Sequence, residues 1–205
     1  MLDSLIRSRG KELADYISTL AYISEIKEWD NRTHLERIRR MTLILSLGMG
    51  NSQDESEAIS LASQLHDIGK SATPDELLKK AGNYSEAEWS IVERHTSDGA
   101  AILAQSTTPL LLLGSSIALT HHERWDGSGY PSKLVGSQIP LGGQICAIAD
   151  VFDALTTPRS YKHMISPLEA LEMILKSGGS LFSLELVKVF EQKFNEIEKI
   201  HNLFH

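Results

Sequence analysis

Apolar residues in this chain recur almost everywhere at intervals of three and four, which is the spacing of one face of an α-helix. A half-buried strand would instead alternate apolar and polar residues, and no stretch of any length does so. Short polar or glycine-containing connections, such as Gly48–Gly50 and 177–180, separate the periodic stretches. The sequence therefore predicts an all-α fold built as a bundle of helices.

Capping and stop signals place the helix boundaries. Ser85 and Glu88 form a capping-box pattern, and Pro74 stands where a first helical turn tolerates proline. We predict helices over about 1–28, 33–47, 55–66, 85–95, 109–122, 144–155, 167–176 and 184–200. A short helix begins near residue 73, and 125–143 is expected to be irregular because it is rich in glycine.

The first predicted helix carries an apolar seam with coiled-coil spacing. The seam residues recur at alternating steps of three and four over about three heptads: Leu2, Ile6, Leu13, Tyr16, Leu20 and Ile23. Arg9 and Gly10 weaken this pattern. We expect 1–28 to be a linker helix that forms a homodimer, followed by a second unit over 29–205. The alternative is a helix that packs this stripe against its own domain.

Charge and cysteine content exclude several classes of partner and location. The chain has 20 Lys and Arg against 27 Asp and Glu, a formal net charge of −7, so neither a DNA or RNA polymer nor an anionic membrane is expected as partner. The longest aliphatic run, Leu110–Leu113, is far too short to span a membrane. With no signal-peptide pattern and Cys146 as the single cysteine, a reducing, cytoplasmic location is expected.

Histidine and aspartate cluster at the ends of apolar helical stretches. His66 and Asp67 follow one such stretch, His121 and His122 end a second, and Asp150 lies inside a third. Any one of these histidines taken alone is best explained as a hydrogen-bonded core residue. Together, imidazole and carboxylate without thiolate suit Fe, Mn, Ni or Zn. An aspartate flanked by histidines is the usual bridge of a two-metal hydrolase.

Two longer motifs resemble a known family. Residues 66–70 read HDIGK and 121–131 read HHERWDGSGYP, and with 150–155 and 159–162 they are similar to the HD-GYP family of bacterial cyclic di-GMP phosphodiesterases. The resemblance spans about 30–190. It implies a helical bundle of the HD-domain type that holds two or three divalent ions, Fe or Mn first and Ni or Zn as alternatives. The implied reaction converts cyclic di-GMP to linear pGpG and, in some members, on to GMP.

The resemblance also implies the residues of a metal centre. The implied ligands are Asp30, His34, His66, Asp67, His95, His121, His122 and Asp150. Asp67 would bridge two ions. Asp30 stands where members with three ions carry a glutamate, and its alternative role is a helix N-cap.

Basic residues are implied to act on the substrate. Lys70 matches a lysine that contacts the scissile phosphate or protonates the leaving oxygen, so Lys70 and Asp67 are the implied catalytic residues. Lys70, Arg159 and Lys162 are the implied substrate-binding residues, because cations suit phosphate oxygens. Asp153, one helical turn after Asp150, is expected to orient a ligand.

Other motif residues are expected to shape the surroundings of the site. Tyr130 is expected to be structural or partner-facing, and its GYP loop implies contact with a cyclase domain. Three histidines match no ligand position and are expected at the surface: His163, His201 and His205.

Two alternatives to this phosphodiesterase stay open. One is a sensor that binds a cyclic dinucleotide without turnover and signals through the heptad helix. The other is a hydrolase of a mixed cyclic dinucleotide or another phosphoester, because base-contacting residues lie outside the motifs.

Overall fold

The computed structural model of the protein describes residues 2–25, 31–158 and 164–204, with side chains over 12–24, 33–158 and 164–204. Within these ranges the chain forms helices and no strand, which confirms the all-α prediction. The helices are α1 Leu2–Glu25, α2 Asn31–Gly48, α3 Gln53–Ser63, α4 Asp75–Leu78, α5 Glu86–Glu93, α6 His95–Leu103, α7 Pro109–Thr120, α8 Leu141–Thr156, α9 Pro167–Lys176 and α10 Leu184–Leu203. None of the described helices is both long and apolar enough to cross a membrane.

Serine side chains start several helices. Ser85 accepts a hydrogen bond from the backbone N–H of Glu88, whose carboxylate in turn accepts one from the backbone N–H of Ser85. The predicted capping box is thus confirmed, and the same arrangement recurs at Ser52 before α3 and Ser166 before α9. Each cap stabilises its helix by about 1 kcal/mol, which matters most for helices as short as α5.

The main core joins α2, α3 and α7 to α8, α9 and α10. Phe152 of α8 is fully buried, with ring centroids 5.4 Å from Phe190 and 6.3 Å from Phe194. Because α8 is covered on most sides, it is apolar around nearly its whole circumference. This packing holds α8 beside α2, and it thereby brings Asp150 close to His34.

Helix α1 packs on a second, smaller apolar cluster through Ile17 and Ala21, which contact the cluster of Leu35 and Leu65. The seam residues whose side chains are described point away from this cluster. These residues are between 40% and 66% exposed: Leu13, Tyr16, Leu20 and Ile23. Over these four positions the stripe does not pack against its own domain, contrary to that alternative.

The structure differs from the sequence prediction after Glu93. The helix predicted over 85–95 ends there, and α6 then runs over His95–Leu103, where no helix was predicted beyond His95. Gly99 lowers the helix propensity of this stretch by about 1 kcal/mol relative to alanine. Its missing Cβ is needed, because a Cβ there would lie 3.0 Å from the backbone nitrogen of Gly69. Close packing against Gly69 thus outweighs local propensity.

His201 is buried, so its predicted surface position is wrong. Its ring centroid lies 6.1 Å from that of Phe152, and its Nδ1 is 3.3 Å from the Thr156 hydroxyl. The apolar face of α10 continues through Ile200 to this position, beyond the predicted end of the helix. His163 and His205 lie outside the described residues.

Candidate metal centre

Two groups of histidine and aspartate side chains meet where α2, α6, α7 and α8 surround the connection after α3. The first group contains Asp67, His95, His121 and His122, and the second contains His34, His66 and Asp150. Within each group, atoms of the kind that bind metals all lie within 4.8 Å of one another. The structure thus brings together every predicted ligand except Asp30, which lies outside the described residues.

The carboxylate of Asp67 faces both groups. Its Oδ1 lies 3.3 Å from Nε2 of His95 and 3.6 Å from Nε2 of His121. Its Oδ2 lies 3.2 Å from Nε2 of His66, which belongs to the second group, and 2.7 Å from Nζ of Lys70. A carboxylate with one oxygen toward each cluster has the geometry of a bridge between two ions.

Backbone carbonyls fix the tautomers of three of these histidines. In each case Nδ1 lies within hydrogen-bond distance of a carbonyl oxygen three residues earlier: 2.9 Å for His66 to Ser63, 2.6 Å for His95 to Val92 and 2.9 Å for His121 to Ala118. A carbonyl oxygen only accepts, so Nδ1 carries the proton and donates it. In the neutral ring Nε2 is then unprotonated, and its lone pair points toward the centre, as a metal ligand requires.

His34 is oriented by a carboxylate instead of a carbonyl. Its Nδ1 donates to Oδ2 of Asp153 at 2.7 Å, and its Nε2 points to Asp150, 4.0 Å from Oδ1. The expected role of Asp153 agrees with this contact. Burial alone would raise the pKa of Asp153, but the hydrogen bonds and charges of His34 and Arg37 hold that pKa well below its usual range.

Three buried hydrogen-bond acceptors of the centre lie close together, and none of them receives a hydrogen bond from a described residue. Nε2 of His95, Nε2 of His121 and Oδ1 of Asp67 are all buried and have no hydrogen-bond partner among the described residues. Lone pairs that face one another at such distances repel, and burial denies them water. A divalent cation between them would satisfy all three, so the residues present fit a metal ion.

The electrostatics of the centre favour the metal-binding forms of its side chains. Burial lowers the pKa of His95 to about 4 and, together with the neighbouring histidines, lowers the pKa of His122 well below its usual range. Burial would raise the pKa of Asp67, but other interactions, of which the charge of the neighbouring Lys70 ammonium is the largest, outweigh it and lower that pKa well below normal. Near neutral pH the centre thus offers neutral imidazoles at His95 and His122 and an ionised carboxylate at Asp67, which favours metal binding by these three side chains.

The GYP loop covers one edge of the first group. The ring of Tyr130 stacks on His122 with centroids 4.8 Å apart, and Trp89 packs edge-on against Tyr130 at 6.0 Å. Burial raises the pKa of Tyr130, so its phenol stays protonated at neutral pH. These contacts agree with the structural role expected for Tyr130.

Two further residues, Glu123 and Arg37, support the site although no sequence pattern indicated this role. The buried carboxylate of Glu123 accepts hydrogen bonds from the backbone nitrogens of Ser132 at 2.7 Å and Leu134 at 3.0 Å, and so holds the GYP loop. The only signal for Glu123 was its place directly after the two histidines of the motif. Arg159 and Lys162, the implied phosphate-binding residues, lie outside the described residues and stay predictions.

Comparison with known proteins places the chain among related sequences. A sequence profile described as an HD domain matches residues 20–186. A cyclic di-GMP phosphodiesterase of Thermotoga maritima is 40% identical over 189 residues, which are 92% of this chain and 51% of the relative. A 3′3′-cGAMP-specific phosphodiesterase 2 of Vibrio cholerae is 38% identical over 93% of this chain and 36% of its own length. The chain thus spans about half or less of these curated relatives.

A solved structure shares the fold. It is an HDG"Y"P protein from Bdellovibrio bacteriovorus, which superimposes with a TM-score of 0.64 at 18% identity over 91% of this chain and 61% of the other. The likeness is one of fold, because identity at this level says little about chemistry. The profile match, the motifs and the shared fold together show that the chain belongs to the HD domain family, as an HD-GYP protein.

Proposed function

We propose that this domain is a metal-dependent phosphodiesterase that hydrolyses cyclic di-GMP to linear pGpG, with a second cleavage to GMP as the alternative end point. The observation that carries the proposal is the Asp67 carboxylate between two histidine groups, each of which has atoms suited to one ion. The cyclic di-GMP phosphodiesterase named among the relatives supports the choice of substrate. The retention of the full set of described ligand positions favours turnover over a sensor that only binds.

The roles of individual residues follow from their chemistry. The two groups would hold the ions, and bound ions supply an activated water and neutralise phosphate charge. Lys70, at the edge of the site and 20% exposed at its side chain, would give a proton to the departing 3′-oxygen. Arg159 and Lys162 would hold the non-bridging phosphate oxygens, which keeps the positive charge local in an acidic protein.

We propose Fe or Mn as the ions, with Ni or Zn as alternatives. The described ligand atoms are imidazole nitrogens and carboxylate oxygens, and the single cysteine, Cys146, is not among them. This donor set suits those metals better than it suits a structural thiolate zinc site. A third ion would involve Asp30.

A mixed cyclic dinucleotide is the second candidate substrate. A relative 38% identical to this chain is named as specific for 3′3′-cGAMP. The metal centre contacts phosphate and does not read bases, so the same residues would serve both substrates.

Nucleotide chromatography tests the function and the substrate together. The protein is incubated anaerobically with cyclic di-GMP, 3′3′-cGAMP or cyclic di-AMP, in the presence of Fe(II), Mn(II) or EDTA. We expect linear dinucleotide or mononucleotide products from cyclic di-GMP with metal and none with EDTA. Faster cleavage of 3′3′-cGAMP would favour the second candidate. Absence of product from any substrate, with bound metal confirmed in the same sample, would contradict the phosphodiesterase assignment.

The seam on α1 supports the proposal of a homodimer through 1–28, with the phosphodiesterase unit over 29–205. Leu13, Tyr16, Leu20 and Ile23 form a continuous exposed apolar stripe that a second α1 would bury. The implied cyclase partner of the GYP loop and the cytoplasmic location are proposed on the resemblance and on the reduced, buried Cys146.

Charge in the seam is expected to weaken the dimer. In the proposed dimer, Leu20 of each subunit would be buried in the interface. Leu20→Glu removes both of these leucines, each contributing about 1.5–3 kcal/mol to association, so the dissociation constant should rise at least about 100-fold. Light scattering over a concentration series measures this change, and Thr19→Glu, which adds the same charge beside the seam, is the matched control. A monomeric wild-type protein at micromolar concentration would contradict the dimer.

A further inference from the structure

Arg37 is the largest fully buried side chain among the described residues and is only 1% exposed. A buried guanidinium is costly unless its charge and its N–H groups are all matched. It lies on α2 one helical turn after His34, so both side chains project from the same face of that helix. A buried charge beside a candidate metal ligand calls for an explanation that the sequence motifs do not provide.

The partners of Arg37 account for its burial. Its Nε and Nη2 donate to the two carboxylate oxygens of Asp153, a bidentate pairing in which the Nη2–Oδ2 distance is 3.1 Å. Nη2 also lies 3.2 Å from the Thr157 hydroxyl, and Nη1 donates to the backbone carbonyl of Phe204 at 2.8 Å. The guanidinium thus links α2 to the C-terminal end of α8, through Asp153 and Thr157, and to Phe204 directly after α10.

The same carboxylate orients His34. Oδ2 of Asp153 accepts from Nδ1 of His34 at 2.7 Å while the fork of Arg37 fixes the plane of the carboxylate. A carboxylate held by a single donor can rotate about its side-chain bonds, whereas a bidentate guanidinium prevents this rotation. The direction of the His34 Nε2 lone pair therefore depends on Arg37.

We propose that Arg37 is a positioning residue for the second group of the metal centre: it locks Asp153, which holds His34 in its metal-binding tautomer and orientation. The inference rests on the proposed metal centre and is independent of the substrate. It predicts that a change at Arg37 lowers the affinity for the ion held by His34, His66 and Asp150. The ion held by His95, His121 and His122 should be retained.

Metal binding by Arg37→Lys tests this proposal without measuring activity. Lysine keeps the charge but has no fork, so we expect the affinity for one of two Mn(II) ions to fall about 10- to 100-fold, the range for residues that orient metal ligands. Equilibrium dialysis with metal analysis gives the stoichiometry and affinity, and electron paramagnetic resonance detects loss of the coupled Mn(II) pair. Arg39→Lys, an exposed arginine of the same helix, is the matched control.

A second variant covers the case in which Arg37→Lys does not fold. In the double variant Arg37→Met with Asp153→Leu, an apolar pair replaces the ion pair, an exchange that often preserves stability. It should fold, as thermal denaturation would show, yet lose the same ion because His34 has lost its acceptor. Folded variants that bind two ions with wild-type affinity would overturn the proposal. A wild-type protein that binds no Mn(II) would overturn the metal centre itself, and the inference with it.

Discussion

Asp67→Ala is expected to abolish hydrolysis of cyclic di-GMP, lowering kcat at least about 1000-fold. The substitution removes a carboxylate whose two oxygens face different histidine groups. It also removes the ion pair with Lys70, whose Nζ lies 2.7 Å from Oδ2. Product formation measured by nucleotide chromatography at saturating metal provides the test.

A stability measurement separates loss of metal from loss of fold in this variant. In the wild-type protein, Mn(II) should raise Tm, because a ligand that binds only the native state stabilises it. In Asp67→Ala this rise should largely disappear while the metal-free protein stays folded. Asp75→Ala, which removes an exposed carboxylate at the start of α4, 3.3 Å from Nζ of Lys79, should keep both activity and the rise in Tm. Full activity in Asp67→Ala would contradict the assignment of the metal centre.

Gly69→Ala is expected to destabilise the protein by about 3 kcal/mol or more. A Cβ at this position would overlap the carbonyl oxygen of His95 and lie 2.5 Å from the backbone nitrogen of Gly99. Both atoms belong to the backbone of α6, so relief requires α6 to move, and His95 would leave the centre with it. Urea denaturation measures the free energy of unfolding.

Gly114→Ala is the matched control for this substitution. In α7 the nearest atoms to a new Cβ are the methyl groups of Leu103 and Leu65 at 3.3 Å, and these ends of flexible side chains need to shift by only a few tenths of an ångström. A gain of about 1 kcal/mol in helix propensity offsets this contact, so little net change is expected. If the free energy of unfolding of Gly69→Ala were within about 0.5 kcal/mol of the wild-type value, the result would contradict the close packing of α6 on the 3₁₀ turn Ile68–Ala72.

Local patterns in the sequence predicted most of the helices because capping and periodicity act over a few residues. Ser85 with Glu88 marked the start of α5, and the long motifs pointed to the residues that the fold brings together at the centre. Helix α6 was missed because Gly99 lowers its propensity for a reason that lies in another segment, at Gly69. A single sequence carries no sign of such a contact.

Long-range contacts explain the other residues that the sequence could not assign. Arg37 resembles its exposed neighbours Arg39 and Arg40 until Asp153 and Phe204 are placed beside it. In α1 the described part of the predicted apolar stripe is exposed, because the helix packs on its neighbours through another face, which carries Ile17, Ala21 and Tyr22. Periodicity identifies an apolar face but does not say what covers it.

The residues of the metal centre lie far apart in the sequence, and this separation sets the order in which the two groups can form during translation. The first group is complete once His122, which lies just after α7, has left the ribosome, whereas the second needs α8, which carries Asp150. The hydrogen bonds of Arg37 are completed later still, because its partner Phe204 is 167 positions away. A nascent chain would thus expose one finished binding group to cellular metals before the other exists. The two sites would select their ions at different moments, the second only after α8 has been synthesised.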